Sequence, residues 1–370
     1  MPIRESIRNL VPYRPGKPIE EVQRELGLES VTKLASNENP LGPSRKALAA
    51  LKTAVKTVNI YPDGGSHCLR NRLAQKFAVA PMEIVLGNGA NELIELAIRT
   101  FVTQEDEGIF CQHAFPMFKI SCMAHGVPFR EIPCGLRFDL DLLQSSISER
   151  TRLIYLPNPN NPTGTHVSTD ELKGFLAALP ARVMLLIDEA YFEFADAADY
   201  PDSLQIWKKE QNRQRMIVLR TFSKAYGLAG LRIGYGFASA ENVDLIDRVR
   251  MPFNISSLAQ QAALAAIDDQ EHVSRTRSLC LRERKRFMRE FSKLGLEPVP
   301  SQGNFLLINT RKAAPDRTAI AVYEELLKRG VIVRPMAAWG LESCLRVSVG
   351  TRKDNDLLLK ALREVLGSES

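Results

Sequence analysis

The sequence predicts an α/β protein with a mostly parallel central sheet and a second, smaller α+β unit. Three observations carry this expectation. Short apolar strand segments, among them Leu153–Leu156, Val183–Ile187 and Met216–Leu219, alternate with helical patterns. Strands without polar alternation are buried on both faces, as in parallel sheets covered by helices. Polar residues gather where these strands end, the place where open α/β sheets bind ligands. From about Ser256 the pattern changes to long amphipathic helices, and then strands return. The expected division is a large unit over 44–257, and an arm and small unit over 1–43 and 258–370.

Taken in order, the elements begin with Val11-Pro12-Tyr13-Arg14-Pro15-Gly16-Lys17-Pro18, whose three prolines exclude a helix. An extended arm and a short helix over Ile19–Leu26 are expected. Leu34 to Pro43 is a loop of turn residues, and a helix follows over Ser44–Val55. Pro62-Asp63-Gly64 is a turn with Tyr61 before it. Ile84–Leu86 reads as a strand that enters Gly87-Asn88-Gly89 and a helix to about Phe101. A strand, Gly-x-Gly and helix in series makes an anion cradle, because the first N–H groups of the helix lack partners. Strands are expected at Gly108–Phe110, Phe129–Ile132, Arg152–Leu156 and Leu231–Phe237, besides those above. Ser168 with Glu171 forms a capping box. Helices are expected over Leu258–Ile267 and Glu271–Lys293, the latter burying Cys280, Phe287 and Phe291. Strands at Phe305–Ile308, Val331–Val333 and Leu345–Val349 and a last helix carrying Leu358, Leu362 and Val365 complete the small unit.

The chain has 370 residues, 45% hydrophobic and 25% charged, enough for two packed cores. It contains no run of about 18 apolar residues, so no membrane partner is expected. The start, Met1-Pro2-Ile3-Arg4-Glu5, has no apolar signal core, which points to a cytoplasmic protein. The six cysteines form no CxxC pair and the five histidines are scattered, so reduced thiols and no metal are expected. The net charge of +6 is modest. The basic run Arg282–Arg286 is interrupted by Glu283 and reads as a solvated helix face, so no nucleic-acid partner is expected.

The stretch Thr221-Phe222-Ser223-Lys224-Ala225-Tyr226-Gly227-Leu228-Ala229-Gly230-Leu231-Arg232 concentrates the chemistry. A lysine at a strand end among small packed residues is a candidate nucleophile, because desolvation lowers the pKa of its amine. The flanking hydroxyls and Arg232 suit a phosphate. Asn161 and Asp188 also lie at or just past strand ends. A carboxyl buried there needs a cationic or hydrogen-bonding partner.

Asn161-Pro162-Thr163-Gly164, Asp188 to Tyr191 and Ser223-Lys224 through Arg232 resemble the fold-type I pyridoxal-phosphate aminotransferases, over nearly the whole chain and in order. Pro12-Tyr13 to Pro18, Asn37-Glu38-Asn39-Pro40-Leu41-Gly42-Pro43, Tyr61-Pro62-Asp63-Gly64 and Arg346 to Arg352 are most similar to the histidinol-phosphate aminotransferase subfamily.

The resemblance implies that Lys224 holds pyridoxal 5'-phosphate and moves the proton. It pairs Asp188 with the ring nitrogen, puts Asn161 and Tyr191 on the ring oxygen, and stacks Phe115 on the ring. Many relatives carry Tyr in place of Phe115. It assigns Ala90, Asn91, Ser223 and Arg232 to the cofactor phosphate, with Tyr61 reaching that phosphate from the neighbouring subunit of a homodimer. Position 91 is often acidic in relatives. It assigns Arg334 and Arg346 to the anionic end of the substrate, and Tyr13 and Asn39 to closure over it. The implied reaction is amino transfer between L-histidinol phosphate and 2-oxoglutarate in histidine biosynthesis. An aromatic amino-acid aminotransferase, or a decarboxylase of a phosphorylated amino acid, shares the same residue set. A pyridoxal-phosphate-binding regulator would need a DNA-binding module for which the arm is too short. A dinucleotide enzyme would need a third glycine where Glu92 stands.

Overall fold

A computed structural model describes residues 5–13, 16–211 and 213–367, so the expectations for residues 1–4 and for Arg14 and Pro15 of the arm lie outside the described residues. In chain order the strands are β1 (Thr32–Lys33), β2 (Ile84–Gly87), β3 (Glu107–Cys111), β4 (Phe129–Ile132), β5 (Thr151–Pro157), β6 (Met184–Asp188) and β7 (Met216–Thr221). They continue with β8 (Gly234–Phe237), β9 (Glu297–Pro298), β10 (Phe305–Asn309), β11 (Val331–Ile332), β12 (Arg334–Pro335) and β13 (Cys344–Ser348). Seven of them form the central sheet in the order β2-β8-β7-β6-β5-β3-β4.

The five strands from β7 to β4 are parallel, as their unbroken apolar character predicts. Strand β8 runs antiparallel to both β7 and β2. Its connection from β7 holds one 3-10 turn, Ala229–Leu231, and no helix. A parallel return normally needs a helical crossover, so this short segment reverses the chain. Arg232 takes a left-handed φ of 55°, which delays the expected start of the strand from Leu231 to Gly234.

A four-stranded antiparallel sheet, β12-β13-β10-β9, forms from the C-terminal part of the chain. The expected strand Val331–Val333 is split, because Val331 and Ile332 pair with β1 while Arg334 and Pro335 pair with β13. The arm is thereby tied to the C-terminal strands: Leu34 N donates to Ile332 O at 2.7 Å and Ser348 N to Leu34 O at 2.8 Å. Helix starts follow side-chain chemistry. Ser44 caps Arg45–Ala54, and Ser168 and Glu171 form the capping box of Thr169–Ala178.

The 24-residue helix Gln270–Lys293 buries Cys280, Phe287 and Phe291 as expected. Its basic run departs from the solvated face read in the sequence. Arg284 is buried, donates to Phe194 O (3.2 Å) and Gly303 O (3.1 Å), and pairs with Asp196. Buried Glu283 accepts from Arg286 and Asn355. A buried charge needs such partners, and the periodicity of one helix does not reveal them. All six cysteines are free. Among the described residues no helix is long and apolar enough to cross a membrane, and no His/Cys/Asp/Glu group could hold a metal ion.

Directly beneath the strand ends lies a buried ion pair. Arg220 on β7 donates to Glu189 at 2.9 Å and lies 3.5 Å from the centre of the Phe192 ring. Glu189 also accepts from Ser203 N, and Arg220 reaches Asp202 at 3.2 Å. The pair joins the residue after β6 to β7. Replacing Arg220 with Met leaves a buried carboxylate uncompensated, at an expected cost of about 3–5 kcal/mol in urea unfolding. Burial already raises the Glu189 carboxyl. A carboxyl with a raised folded pKa costs least when protonated, so the deficit of Arg220→Met is largest at neutral pH and shrinks as the pH falls toward the ordinary carboxylate range.

Candidate active site

The parallel register of β5, β6 and β7 sets Pro157 opposite Asp188, and Asp188 opposite Leu219. The C-terminal ends of three adjacent strands therefore open into one cavity of about 290 Å³. Asn161 follows β5, Asp188 ends β6 and Tyr191 lies three residues on, while Ser223 and Lys224 follow β7. All five line the cavity, together with Ala90, Asn91, Phe115 and Arg232 from the same sheet unit. Tyr13, Arg334 and Arg346 line it from the arm and the second sheet.

Lys224 Nζ donates to Ser36 O at 3.2 Å and lies 5.6 Å from the centre of the Tyr191 ring. Burial lowers its pKa to about 8, helped by Arg346 and Arg232 and opposed by Glu38 and Asp188. Asp188 accepts from Tyr155 Oη (2.8 Å) and Ala190 N (3.1 Å). Burial pushes its carboxyl up, against the pull of those bonds and of Lys224. A carboxylate in that position stabilises any cation brought against it. Burial raises the Tyr191 phenol to about 12, so it stays protonated at neutral pH.

The cradle at the other end is built on close backbone approach. The helix Ala90–Phe101 starts after Gly89, which provides no side-chain cap. A Cβ on Gly89 would lie 2.5 Å from Arg232 Nη2, and one on Gly234 would lie 2.5 Å from Ala90 N. Glycine at 89 leaves room for Arg232 beside the helix start, and glycine at 234 lets the β8 backbone approach that start. Arg232 Nη1 also approaches Ser223 Oγ at 3.4 Å. The free N–H groups of the helix start, a hydroxyl and a guanidinium thus converge on one spot, a fitting site for a phosphate.

The facing wall is unusual for its charge. Arg334 on β12 and Arg346 on β13 are directly opposed in antiparallel register. Directly opposed residues share a face of the sheet, and like charges there repel. Arg346 is buried, donates to Ala35 O at 2.6 Å and to Asn161 Oδ1, and leaves its Nε unpaired. It has no carboxylate partner among the described residues. Arg334 lies 5.4 Å from the ring centres of both Tyr13 and Trp339, and Tyr13 meets Phe115 edge-on at 6.3 Å. His113 Nδ1 donates to Trp339 O at 2.5 Å, which ties the Phe115 loop to this wall.

Two of the residues singled out in the sequence are not brought to the cavity. The Asn39 amide donates to Ala225 O (2.9 Å) and Thr276 Oγ1 (3.1 Å). Asn37 lines the cavity instead and donates to Tyr191 Oη at 2.9 Å. Of two asparagines flanking one glutamate, only the tertiary fold decides which faces inward. Tyr61 is 80% exposed and stacks on Phe253 at 4.8 Å, outside the cavity of its own chain. Sequence reasoning also misses Tyr155. Its one signal is a lone phenol in an apolar strand, two residues before the strand ends.

The residues present fit pyridoxal phosphate. They offer an anion cradle at one end, a carboxylate for a ring cation beneath, and an amine with a lowered pKa between. The orphaned Arg346 Nε offers a donor to a second anion.

The family profile described as "Aminotransferase class I and II" matches residues 29–362. The chain is 48% identical to the histidinol-phosphate aminotransferase of an Anaeromyxobacter species, with 98% of each chain covered. It is 46% identical to histidinol-phosphate aminotransferase 2 of Carboxydothermus hydrogenoformans, covering 98% of this chain and 99% of that one. The crystal structure of histidinol-phosphate aminotransferase from Sinorhizobium meliloti in complex with pyridoxal-5'-phosphate superposes with a TM-score of 0.88 at 30% identity, over 99% of this chain and 98% of that one.

Lys224 provides a direct test of the cavity's electrostatics. In ligand-free protein, its reductive alkylation by a small aldehyde is expected to rise with a midpoint near pH 8, against 10.5 for an ordinary lysine. Peptide mass spectrometry resolves Lys224 from surface lysines. The folded protein holds fewer protons at this site than the unfolded chain between those values, so the cost of burying Lys224 is relieved as the pH rises through that window. A midpoint at the ordinary value would mean a solvated, uncharged cavity.

Proposed function

This chain belongs to the class I and II aminotransferases, and on that premise we propose that it transfers an amino group between L-histidinol phosphate and 2-oxoglutarate, with pyridoxal phosphate as cofactor, in histidine biosynthesis. The carrying observation is the placement of Lys224 in a cavity whose facing wall opposes Arg334 and Arg346. One anionic group between two arginines converts repulsion into two charge-assisted contacts. The phosphate of one substrate and a carboxylate of the other fill the same role in turn. The relatives named above at 46% and 48% identity support this choice of substrate.

When bound, the cofactor supplies an electron sink for the pair left on the substrate carbon once its proton is removed. The remaining work falls to side chains. Lys224 Nζ would hold the cofactor and, as a free amine, would take the proton from the substrate carbon and return it. Its pKa of about 8 leaves a useful fraction of free amine near neutral pH. Asp188, held by Tyr155 and Ala190 N, keeps a ring nitrogen protonated by charge. Asn161 has its oxygen engaged by Arg346, so its NH2 is left to face the ring. Ser223, Arg232 and the N–H groups of Ala90 and Asn91 hold the phosphate. Phe115 would stack on the cofactor ring, and Tyr13, edge-on to it, would close over the substrate and exclude water.

The reading includes a cytoplasmic homodimer in which Tyr61 completes the neighbouring site. Exposed Val58, Ile60, Tyr61, Met251 and Phe253 support it, since the exposed apolar residues flank the stacked Tyr61–Phe253 pair. It also includes the division into a large unit over 44–257 and a small unit from 1–43 and 258–370, supported by the pairing of β1 with β11.

The visible spectrum of the cofactor-loaded protein tests the reading. Histidinol phosphate alone is expected to convert the band to that of the amino form of the cofactor, and 2-oxoglutarate to restore it. Conversion by phenylalanine but not by histidinol phosphate would reassign the substrate, and no band in the parent would overturn the enzyme itself. Lys224→Ala is expected to lose the lysine-bound band. Arg346→Gln is expected to raise KM for histidinol phosphate about 10- to 100-fold, the range for one lost charge-assisted hydrogen bond. Light scattering gives the mass that decides the dimer.

A further inference from the structure

A phenol that accepts a hydrogen bond keeps its own proton to give elsewhere, and the direction of the Tyr191 bond follows from its neighbours. Asn37 is buried in a left-handed conformation, φ 54°. Its backbone N–H donates to Ser348 Oγ at 2.8 Å. That hydroxyl lies 2.8 Å from Asn37 Oδ1 and gives it its proton. With Oδ1 occupied, the NH2 of Asn37 faces Tyr191 and donates to Oη at 2.9 Å. The reverse amide orientation would aim two donors at Ser348 Oγ and leave the proton of that buried hydroxyl without an acceptor. Asn304 Nδ2 donates to Asn37 O at 3.0 Å and holds the backbone in place. Three segments, the arm, β13 and the loop before β10, therefore fix one amide.

We infer that Asn37 is a positioning residue that sets Tyr191 as a hydrogen-bond donor into the cavity, toward an acceptor oxygen on the cofactor ring. The inference rests on the functional reading above and deepens it. Because Asn37 belongs to the arm, the donor is oriented only when the arm is packed against β13.

Two substitutions separate direction from shape. Asn37→Asp keeps the shape and tolerates the left-handed backbone, but offers only acceptors, so the Tyr191 proton turns away from the cavity. Asn37→Gly keeps the backbone and removes the amide, so Tyr191 remains able to donate into the cavity. The near-isosteric change is therefore expected to be the more harmful one. The readouts are the pH midpoint of the visible band of the cofactor-loaded protein and the cofactor Kd from equilibrium dialysis, neither of which needs turnover.

Asn37→Asp is expected to move the midpoint in the same direction as Tyr191→Phe and to weaken cofactor binding about tenfold, as for one lost hydrogen bond. Asn37→Gly is expected to do less on both measures. The negative charge that Asn37→Asp introduces also acts on the site, and the same substitution in a Tyr191→Phe background isolates that part. A shift reduced to less than half in the Phe background supports the inference. An equal shift in both backgrounds, or Asn37→Gly as harmful as Asn37→Asp, overturns it. If circular dichroism shows Asn37→Asp unfolded, Ser348→Ala replaces it: it removes the proton that holds Oδ1, and an unchanged midpoint there overturns the inference. A parent that takes up no cofactor defeats the functional reading itself, which these variants do not address.

Discussion

The hydrogen-bond register of three parallel strands is the constraint on which the rest of the site depends. Asp188 pairs across to Pro157 on one side and Leu219 on the other. A parallel sheet brings all its C-terminal ends to one edge, so residues from 161 to 224 converge without any contact between them in sequence. A one-residue slip of β6 would turn Asp188 to the opposite face of the sheet. The buried Arg220–Glu189 pair, packed on Phe192, joins β7 to the end of β6 just below the cavity. A buried ion pair contributes little net stability, but breaking it is costly, which suits it to hold a register.

Charge is the second theme. The cavity gathers Lys224, Arg232, Arg334 and Arg346, with Asp188 as its buried acid. Two arginines directly opposed on a strand pair repel each other. Here burial lowers the Lys224 pKa, helped by Arg346 and Arg232, and Arg346 has no carboxylate partner among the described residues. Both effects favour binding of anions and a free amine, so one arrangement serves recognition and reactivity.

Closure is the third. The cavity is lined from two sheets and an arm, and directed contacts join them at its wall. His113 reaches the Trp339 carbonyl, Arg346 reaches Asn161 and Ala35, and Asn37 reaches Tyr191. Those of His113 and Arg346 join the central sheet unit or the arm to the arginine wall, and that of Asn37 joins the arm to Tyr191 beside Lys224. Order in the arm and order in the chemistry are thus coupled through single hydrogen bonds.

Much of this is legible in the chain. Apolar strands that end in Asn161, Asp188 and Lys224 are readable because burial on both faces removes polar alternation, and a polar residue ending such a run stands out. The glycines around the helix start are readable because only glycine permits that approach. The antiparallel turn of β8, the choice of Asn37 over Asn39, the Tyr155 bond to Asp188 and the buried Arg284 are not. Each depends on which distant segment packs alongside, and no local pattern records that. The chemical groups and their places at strand ends can be read from the chain alone, because periodicity and turn chemistry are local. The direction of each hydrogen bond and the opposition of Arg334 and Arg346 come from the fold, because both arise from pairing between segments far apart in the chain.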